Sequence, residues 1–179
     1  KNDVLLSTKN GMAIRFPETE ARSLGRQAVG VRGIKLKGDD RVVSMEVLHN
    51  DATILTVTQN GYGKRTAIDE YRSQARGGMG LITIKVDERN GPVVAAMQVR
   101  DDDEIMIITT GGVLIRTKVE TIRKTGRSAQ GVRLINLNEG ELLVDLASVV
   151  EREDNSLNEE GDNESSATLE NVAPELELE

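Results

Sequence analysis

Three arginines stand at a fixed distance from a glycine: Arg15 follows Gly11, Arg65 follows Gly61 and Arg116 follows Gly112, each by four residues. Eleven residues further on come Arg26, Arg76 and Arg127, and four residues after those come Gly30, Gly80 and Gly131. A guanidinium is permanently charged and presents its donors in a planar fork that matches phosphate or carboxylate oxygens. The chemistry on offer is therefore recognition of an anion, repeated along the chain. The stretch "QARGGMG" concentrates it. Gln74 and Arg76 stand among Gly77, Gly78 and Gly80, with no neighbour suited to acid-base or nucleophilic work. Such a loop either lets a backbone approach a phosphate or is a flexible turn.

Bond-making groups are scarce. There are no cysteines, which excludes disulfides, thiolate zinc sites and cysteine nucleophiles and is compatible with a reducing cytoplasm. Asp101, Asp102, Asp103 and Glu104 form an acidic run, but without the alternating spacing and turn glycine of a calcium loop they read as an exposed turn. Tyr62 and Tyr71 lack a neighbouring base, and the lone His49 reads as a solvated linker residue. No catalytic residue, metal site or cofactor is expected. No apolar run approaches the roughly 18 residues of a membrane span, so the chain reads as soluble and cytoplasmic, with no membrane partner. It opens on Lys1, close to the strand-like Val4-Leu5-Leu6, and reads as a fragment of something longer.

The elements that must position the arginines are repeated too. Asn10-Gly11, Asn60-Gly61 and Gly111-Gly112 recur at spacings of 50 and 51 residues. Short β-branched runs such as Ile54 to Thr58 and Ile105 to Thr109 end at these dipeptides, which suit the positive φ angles of a type I′ hairpin turn. The glycines at 30, 80 and 131 each open a further run, VRGIKL, LITIKV and VRLINL. A second hairpin is expected through Lys37 to Asp40 or Glu88 to Gly91 into another strand. The sequence thus predicts an all-β fold of three four-stranded antiparallel blades, over 1–50, 51–101 and 102–153, followed by a tail over 154–179. Propeller rings close with about 4 to 8 such blades. From Glu151 onward the chain is rich in Glu, Asn and Ser and lacks aromatic residues, so it reads as disordered; its closing "ELELE" reads equally as a short interaction motif and as ending in a vector-derived Leu-Glu.

Charge is segregated. Residues 151–179 hold 11 of the 30 acidic and one of the 23 basic residues, leaving the body at +3. Within the body, the stretches 11–35, 61–85 and 112–136 carry a combined +11 while the remainder carries −8. The first contributes Arg15, Arg22, Arg26, Arg32 and Lys35. The second contributes Lys64, Arg65, Arg72, Arg76 and Lys85, and the third Arg116, Lys118, Arg123, Lys124, Arg127 and Arg133. Arginine stems also cover apolar neighbours, but a surface tuned for solubility alone mixes both signs. One basic sector per blade is the footprint of a phosphate backbone followed along a curved surface. The only aromatic residues are Phe16, Tyr62 and Tyr71, too few for a single strand held by base stacking, so duplex DNA fits better. Nothing resembles a recognition helix, and sequence readout should be weak. Residues 151–179, at −10, are expected to compete with DNA for the band.

The stretches "TQNGYGKRTAIDEY", "ERNGPVV" and "GRSAQGVRLINL", with the acidic end, resemble the C-terminal domain of bacterial DNA gyrase A over residues 1 to 153. The resemblance implies a β-pinwheel, a propeller-like disc of about six blades in which neighbours exchange strands and whose basic rim wraps DNA for ATP-dependent negative supercoiling. This chain would hold the last three blades. The rest of gyrase A and the second gyrase protein, gyrase B, would be its partners, with the cleaving tyrosine, ATP and magnesium sites elsewhere. The family's first blade carries a heptad of Gln, basic, Arg, Gly, Gly, basic, Gly. Gln74, Arg76, Gly77, Gly78 and Gly80 match it, while Ala75 and Met79 replace its two basic residues, so "QARGGMG" reads as a degenerate echo with the true box upstream of Lys1. The related C-terminal domain of topoisomerase IV and a protein-interaction propeller of the kelch or chromosome-condensation-regulator kind remain alternatives.

Overall fold

A computed structural model describes residues 2–149; the acidic tail lies outside the described residues. Their regular structure is β throughout, apart from three single-turn 3-10 helices. In the first repeat β1 (Asp3–Thr8) and β2 (Met12–Pro17) form a hairpin, a 3-10 turn follows at Glu18–Glu20, and β3 (Val42–Val47) pairs with the other edge of β1. The second repeat supplies β4 (Thr53–Thr58), β5 (Tyr62–Ala67), the turn Ile68–Glu70, β6 (Leu81–Ile82) and β7 (Val93–Val99). The third supplies β8 (Glu104–Thr109), β9 (Leu114–Lys118), the turn Val119–Thr121, β10 (Val132–Arg133) and β11 (Leu143–Val149).

The hairpin turns are built differently from the expected two-residue loop. Gly11 N–H donates to Thr8 O at 3.1 Å, and Gly61 and Gly112 repeat this with Thr58 and Thr109. The glycine therefore closes a four-residue turn and then adopts φ near +80° (81°, 80° and 77°), a conformation that penalises any residue with a Cβ.

The expected second hairpin within each repeat does not form. Sheet order is β3-β1-β2-β6, then β10-β5-β4-β7, then β11-β8-β9. The short third-run strands β6 and β10 cross to the preceding sheet, pairing antiparallel with β2 (Met12↔Ile82, Ala13↔Leu81) and β5 (Tyr62↔Arg133, Gly63↔Val132). A four-stranded blade is thus three strands of one repeat plus one of the next. The reason is steric as well as topological. β3 and β7 already occupy the free edges of β1 and β4, and Gly80 and Gly131 let the third run approach the preceding sheet closely. A Cβ would lie 2.4 Å from Ala13 O at Gly80 and 2.7 Å from Gly63 O at Gly131. The third sheet has three strands among the described residues, and the first repeat's run, 31–36, forms no strand.

The apolar core lies between sheets. Leu5, Ala13, Ile54, Ile68, Tyr71 and Ala96 fill the space between the first two, and Leu55, Val57, Val99, Ile105, Ile107, Val119, Ile122 and Leu143 that between the second and third. Covered on both faces, β4 is buried at all six positions, while β9 is largely exposed. At about 1.5–3 kcal/mol for each fully buried large apolar side chain, these layers dominate the cohesion of the stack.

Candidate nucleic-acid interface

The basic residues separate into those that lock neighbouring sheets together and those that face solvent. Arg15, on β2, donates from Nε to Asp3 at 2.6 Å and from Nη1 to the carbonyls of Ile68 and Tyr71 in the next repeat, both at 3.3 Å. Arg65, one repeat later on β5, reaches Ile122 O from Nε at 2.7 Å, Glu120 O from Nη2 at 3.4 Å, and the Asp101 carboxylate. Lys64, beside it, has no exposed surface and donates from Nζ to Gly126 O at 2.5 Å and Arg127 O at 2.6 Å. Burial, which disfavours the ammonium form, pulls this lysine down to about 8. Lys64 and Arg65 are buried, and Arg15, with 19% of its side chain exposed, has its guanidinium committed to these partners. The basic band expected from the sequence loses them: they are inter-sheet anchors, because their heads satisfy carbonyls of the following repeat.

The arginines in third place of each glycine-bearing loop, Arg76 of "QARGGMG" and its equivalent Arg127, are likewise turned onto the preceding repeat. Arg76 donates from its backbone N–H to Glu20 Oε2 at 2.7 Å, from Nε to Glu20 O at 3.0 Å, and from Nη1 to Arg32 O. Gly77 N–H donates to Gly33 O at 2.7 Å, and Gly78 O accepts from Lys35 N–H at 2.8 Å. Gln74 N–H donates to Arg15 O at 2.8 Å, so the whole of "QARGGMG" is docked on the preceding repeat. Arg127 repeats the pattern, with Nη1 on Ile82 O at 3.0 Å and Nε 4.0 Å from Glu70. The glycines serve this docking rather than a phosphate cradle.

What remains accessible is a different periodic set. Arg22, Arg72 and Arg123 occupy the same place in each repeat, just after the 3-10 turn, and all three are exposed. None has a side-chain hydrogen bond or ion pair among the described residues. Arg26, Arg32, Lys35, Lys85 and Arg133 are exposed as well. Arg116 pairs with Glu104, Lys118 lies 3.9 Å from Glu120, and Lys124 donates to Asp101 at 3.0 Å. With Arg65, Lys124 holds the Asp101 carboxyl below its ordinary value, which is what a turn acid in ion pairs does.

Arg89, which lies outside the basic sectors counted from sequence, adds one cluster. Its guanidinium carbon sits 4.7 Å from the centre of the Tyr62 ring and that of Arg133 sits 5.3 Å from it. Arg133 Nη2 also donates to the Tyr62 hydroxyl at 2.8 Å, and the two arginines push the phenol below its ordinary value, Arg133 more strongly. Neither guanidinium is salt-bridged to a carboxylate in the described residues. The sequence carried no signal for this cluster, because it is the strand exchange pairing Arg133 with Tyr62 that brings the two together.

Among the described residues no group of three or more His, Cys, Asp or Glu side chains could hold a metal ion. The acidic run at 101–104 lines a cleft of about 440 Å³ together with Glu120, Arg116 and Lys118, so the two cations offset only part of its charge. No helix of the described residues is long and apolar enough to cross a membrane.

The family described as the DNA gyrase C-terminal domain, beta-propeller, matches residues 2–49, 52–100 and 103–149. This chain belongs to that family. The A subunit of DNA gyrase from Salmonella typhimurium is 49% identical over 176 residues, which is 98% of this chain and 20% of the relative. The chain thus spans about a fifth of the length of the curated relatives it matches. A solved DNA gyrase A C-terminal domain superposes with a TM-score of 0.78 at 30% identity, over 83% of this chain and 51% of that one. The C-terminal domain of DNA topoisomerase IV gives the same TM-score at 27% identity, over 83% of this chain and 46% of that one. As a gyrase C-terminal domain, the chain uses its repeated arginines at two levels, some to join blades and others to line their outer turns.

Proposed function

We propose that this part of a gyrase A C-terminal domain binds duplex DNA through phosphate contacts along its exposed arginines and bends it around the stack of sheets. The observation that carries the reading is the set Arg22, Arg72 and Arg123. It recurs once per repeat, solvent-exposed, with no partner of opposite charge. Fixed cations at a blade-to-blade period match a charged polymer bent across successive blades better than they match a small ligand, which needs an enclosed site. With no element that enters a groove, binding is independent of base sequence. Bending 20–30 base pairs by 40–90° costs on the order of 1–6 kcal/mol, which the released counterions of several phosphate contacts offset.

Within a whole gyrase this segment acts without chemistry of its own. It presents a bent DNA segment to cleavage and ATP-hydrolysing parts supplied by the remainder of gyrase A and by gyrase B, in the bacterial cytoplasm.

The test is fluorescence anisotropy with a labelled duplex across a salt series. Each phosphate contact contributes about −0.9 to the slope of log affinity against log salt, so the triple variant Arg22→Gln, Arg72→Gln, Arg123→Gln should flatten it by about 2 to 3. Arg89→Gln should flatten it by up to about 1. An unchanged slope in the triple variant, with folding intact, rejects the assignment.

A further inference from the structure

Arg89, Tyr62 and Arg133 come from three separate places in the chain and meet at one point of the second sheet. Tyr62 opens β5, Arg133 lies on β10, the strand that the following repeat contributes, and Arg89 stands in the turn before β7. Two like charges gathered over one ring repel each other. If their purpose were internal, a carboxylate would accompany them, and among the described residues neither arginine has one. Asp87, two residues before Arg89, is turned to other partners. Its Oδ1 accepts the backbone N–H groups of Arg89 at 3.1 Å and Asn90 at 3.2 Å, and its Oδ2 accepts from the Gln130 amide.

The two heads are held by neutral groups instead. Arg89 Nη1 donates to Gln130 Oε1 at 3.4 Å, Arg133 Nη1 to Asn136 Oδ1 at 3.3 Å, and Arg133 Nη2 to the Tyr62 hydroxyl at 2.8 Å. An amide or phenol oxygen orients a guanidinium without neutralising it. Both arginines are exposed, above a Tyr62 that is itself buried. The turn that carries Arg89 is pinned as well. Asn60 Nδ2 donates to the carbonyls of Glu88 at 3.2 Å and Arg89 at 3.1 Å, and the fully buried Asn90 donates to Lys85 O at 2.7 Å and Gln130 O at 3.2 Å. Asn90 thereby ties this turn to the repeat that supplies Arg133. The pair is set before any ligand arrives, which lowers the ordering cost of binding one.

We infer that Arg89 and Arg133 form one preorganised site for a phosphodiester group of bound duplex DNA, with Tyr62 as the residue that positions both guanidinia. The inference rests on the reading above that the chain binds duplex DNA, and it adds a site of a different kind. A planar guanidinium fork matches phosphate oxygens, and an exposed pair with no internal anion keeps its charge for an external one. Arg22, Arg72 and Arg123 are lone cations repeated once per blade, whereas this pair occurs once. The positions equivalent to Tyr62 are Met12 and Val113, which offer no ring, and Arg133 is replaced by Ile82 in the second repeat. Equal cations at a fixed period accept a polymer in more than one register along it. A single fixed pair on the middle sheet gives the duplex one preferred point of attachment.

Tyr62 and Tyr71 are the only tyrosines, which makes the site observable in the unaltered chain. Arg133 and Arg89 hold the Tyr62 phenol below its ordinary value and burial pushes that of Tyr71 above it, so with an isotopic label at tyrosine Cζ the two titrate as separate NMR signals. A phosphate seated on the arginines opposes ionisation of the phenol beneath them. A saturating duplex should therefore move the Tyr62 midpoint upward and leave that of Tyr71 in place. The salt dependence of binding counts the phosphates. If both arginines share one, Arg89→Gln combined with Arg133→Gln should flatten the slope of log affinity against log salt by about 0.9, whereas two independent contacts would flatten it by about 1.8. A duplex that binds by anisotropy while the Tyr62 midpoint stays fixed overturns this inference and leaves the wider reading standing. So does a double variant whose slope flattens by about 1.8 or not at all. No binding of a duplex by the parent chain at any salt concentration overturns both.

Discussion

Replacing Arg65 with alanine tests the division of the arginines into anchors and contacts. The Arg65 side chain is only 5% exposed, and its head reaches Ile122 O at 2.7 Å and Glu120 O at 3.4 Å in the following repeat as well as Asp101. The Asp101 carboxylate is largely in water, so solvent screens that ion pair and it adds little. A hydrogen bond from a charged donor to a buried carbonyl is worth about 1.5–3 kcal/mol. Loss of the buried stem adds to this, since a vacated core site collapses only partly. The expected destabilisation is about 3–4 kcal/mol, and at about 2–4 °C per kcal/mol for a chain of this size the melting temperature should fall by roughly 10 °C. Arg65→Lys should recover little of it, because one ammonium cannot span the partners a guanidinium fork reaches. Arg72→Ala, a few residues along the same repeat but exposed and unpaired, should stay within about 0.5 kcal/mol of the parent chain. Thermal unfolding followed by circular dichroism measures all three. If Arg65→Ala melts within about 2 °C of the parent chain, or if Arg72→Ala falls as far, the anchor assignment is wrong.

Lys64 makes stability pH-dependent in alkali. Its pKa is lowered from 10.5 to about 8 by burial, so between these values the unfolded chain holds a proton that the folded chain has released. Stability therefore rises with pH across that window by up to about 1.4 kcal/mol per unit, and the penalty of the buried charge is fully present below pH 8. In urea titrations from pH 7 to 10 the stability of the parent relative to Lys64→Met should rise as the pH passes 8, whichever of the two is the more stable at pH 7, and a constant difference would contradict the shift. Gly80→Ala should destabilise by about 2 kcal/mol or more, since the new Cβ combines a φ of +77° with a 2.4 Å approach to Ala13 O. Gly30→Ala, with open space at its Cβ, should show only the backbone cost of about 1 kcal/mol. Equal losses in the two glycine variants, measured by thermal unfolding, would refute the close-approach argument.

The all-β architecture was legible because turn glycines and β-branched runs recur at a period that only repeated sheets explain. The assignment of strands to sheets was not. The third run has the composition of a hairpin partner, and nothing in LITIKV distinguishes pairing with its own repeat from pairing with the one before. The decision rests on Gly80 and Gly131, whose missing side chains permit an approach that becomes visible only in three dimensions. The position of Lys64 was hidden for a related reason. Its repeat equivalent is Ile14, fully buried, so the lysine occupies an interior site by alignment even though its type suggests solvent. The tolerance comes from the carbonyls of Gly126 and Arg127, which lie 62 and 63 residues away in the chain.

Repetition of a cation by itself does not say what the cation is for. An inter-blade anchor and a contact to a bent polymer both recur once per repeat, and both place a guanidinium near oxygen atoms. The useful distinction is whether an anion recurs with it. Glu20 and Glu70 occupy one repeat position, and each faces the third-place arginine of the following repeat, Arg76 and Arg127. That pairing is present in the sequence as a second period, offset from the first by slightly more than one repeat, and it marks those arginines as internal. In the third repeat the position is Thr121, where no following repeat is described. Arg22, Arg72 and Arg123, two residues beyond the same position, have no carboxylate that recurs in step with them and end in solvent without a partner. Their charge is left uncompensated in every repeat, which makes them the arginines whose removal should alter binding and leave the fold intact.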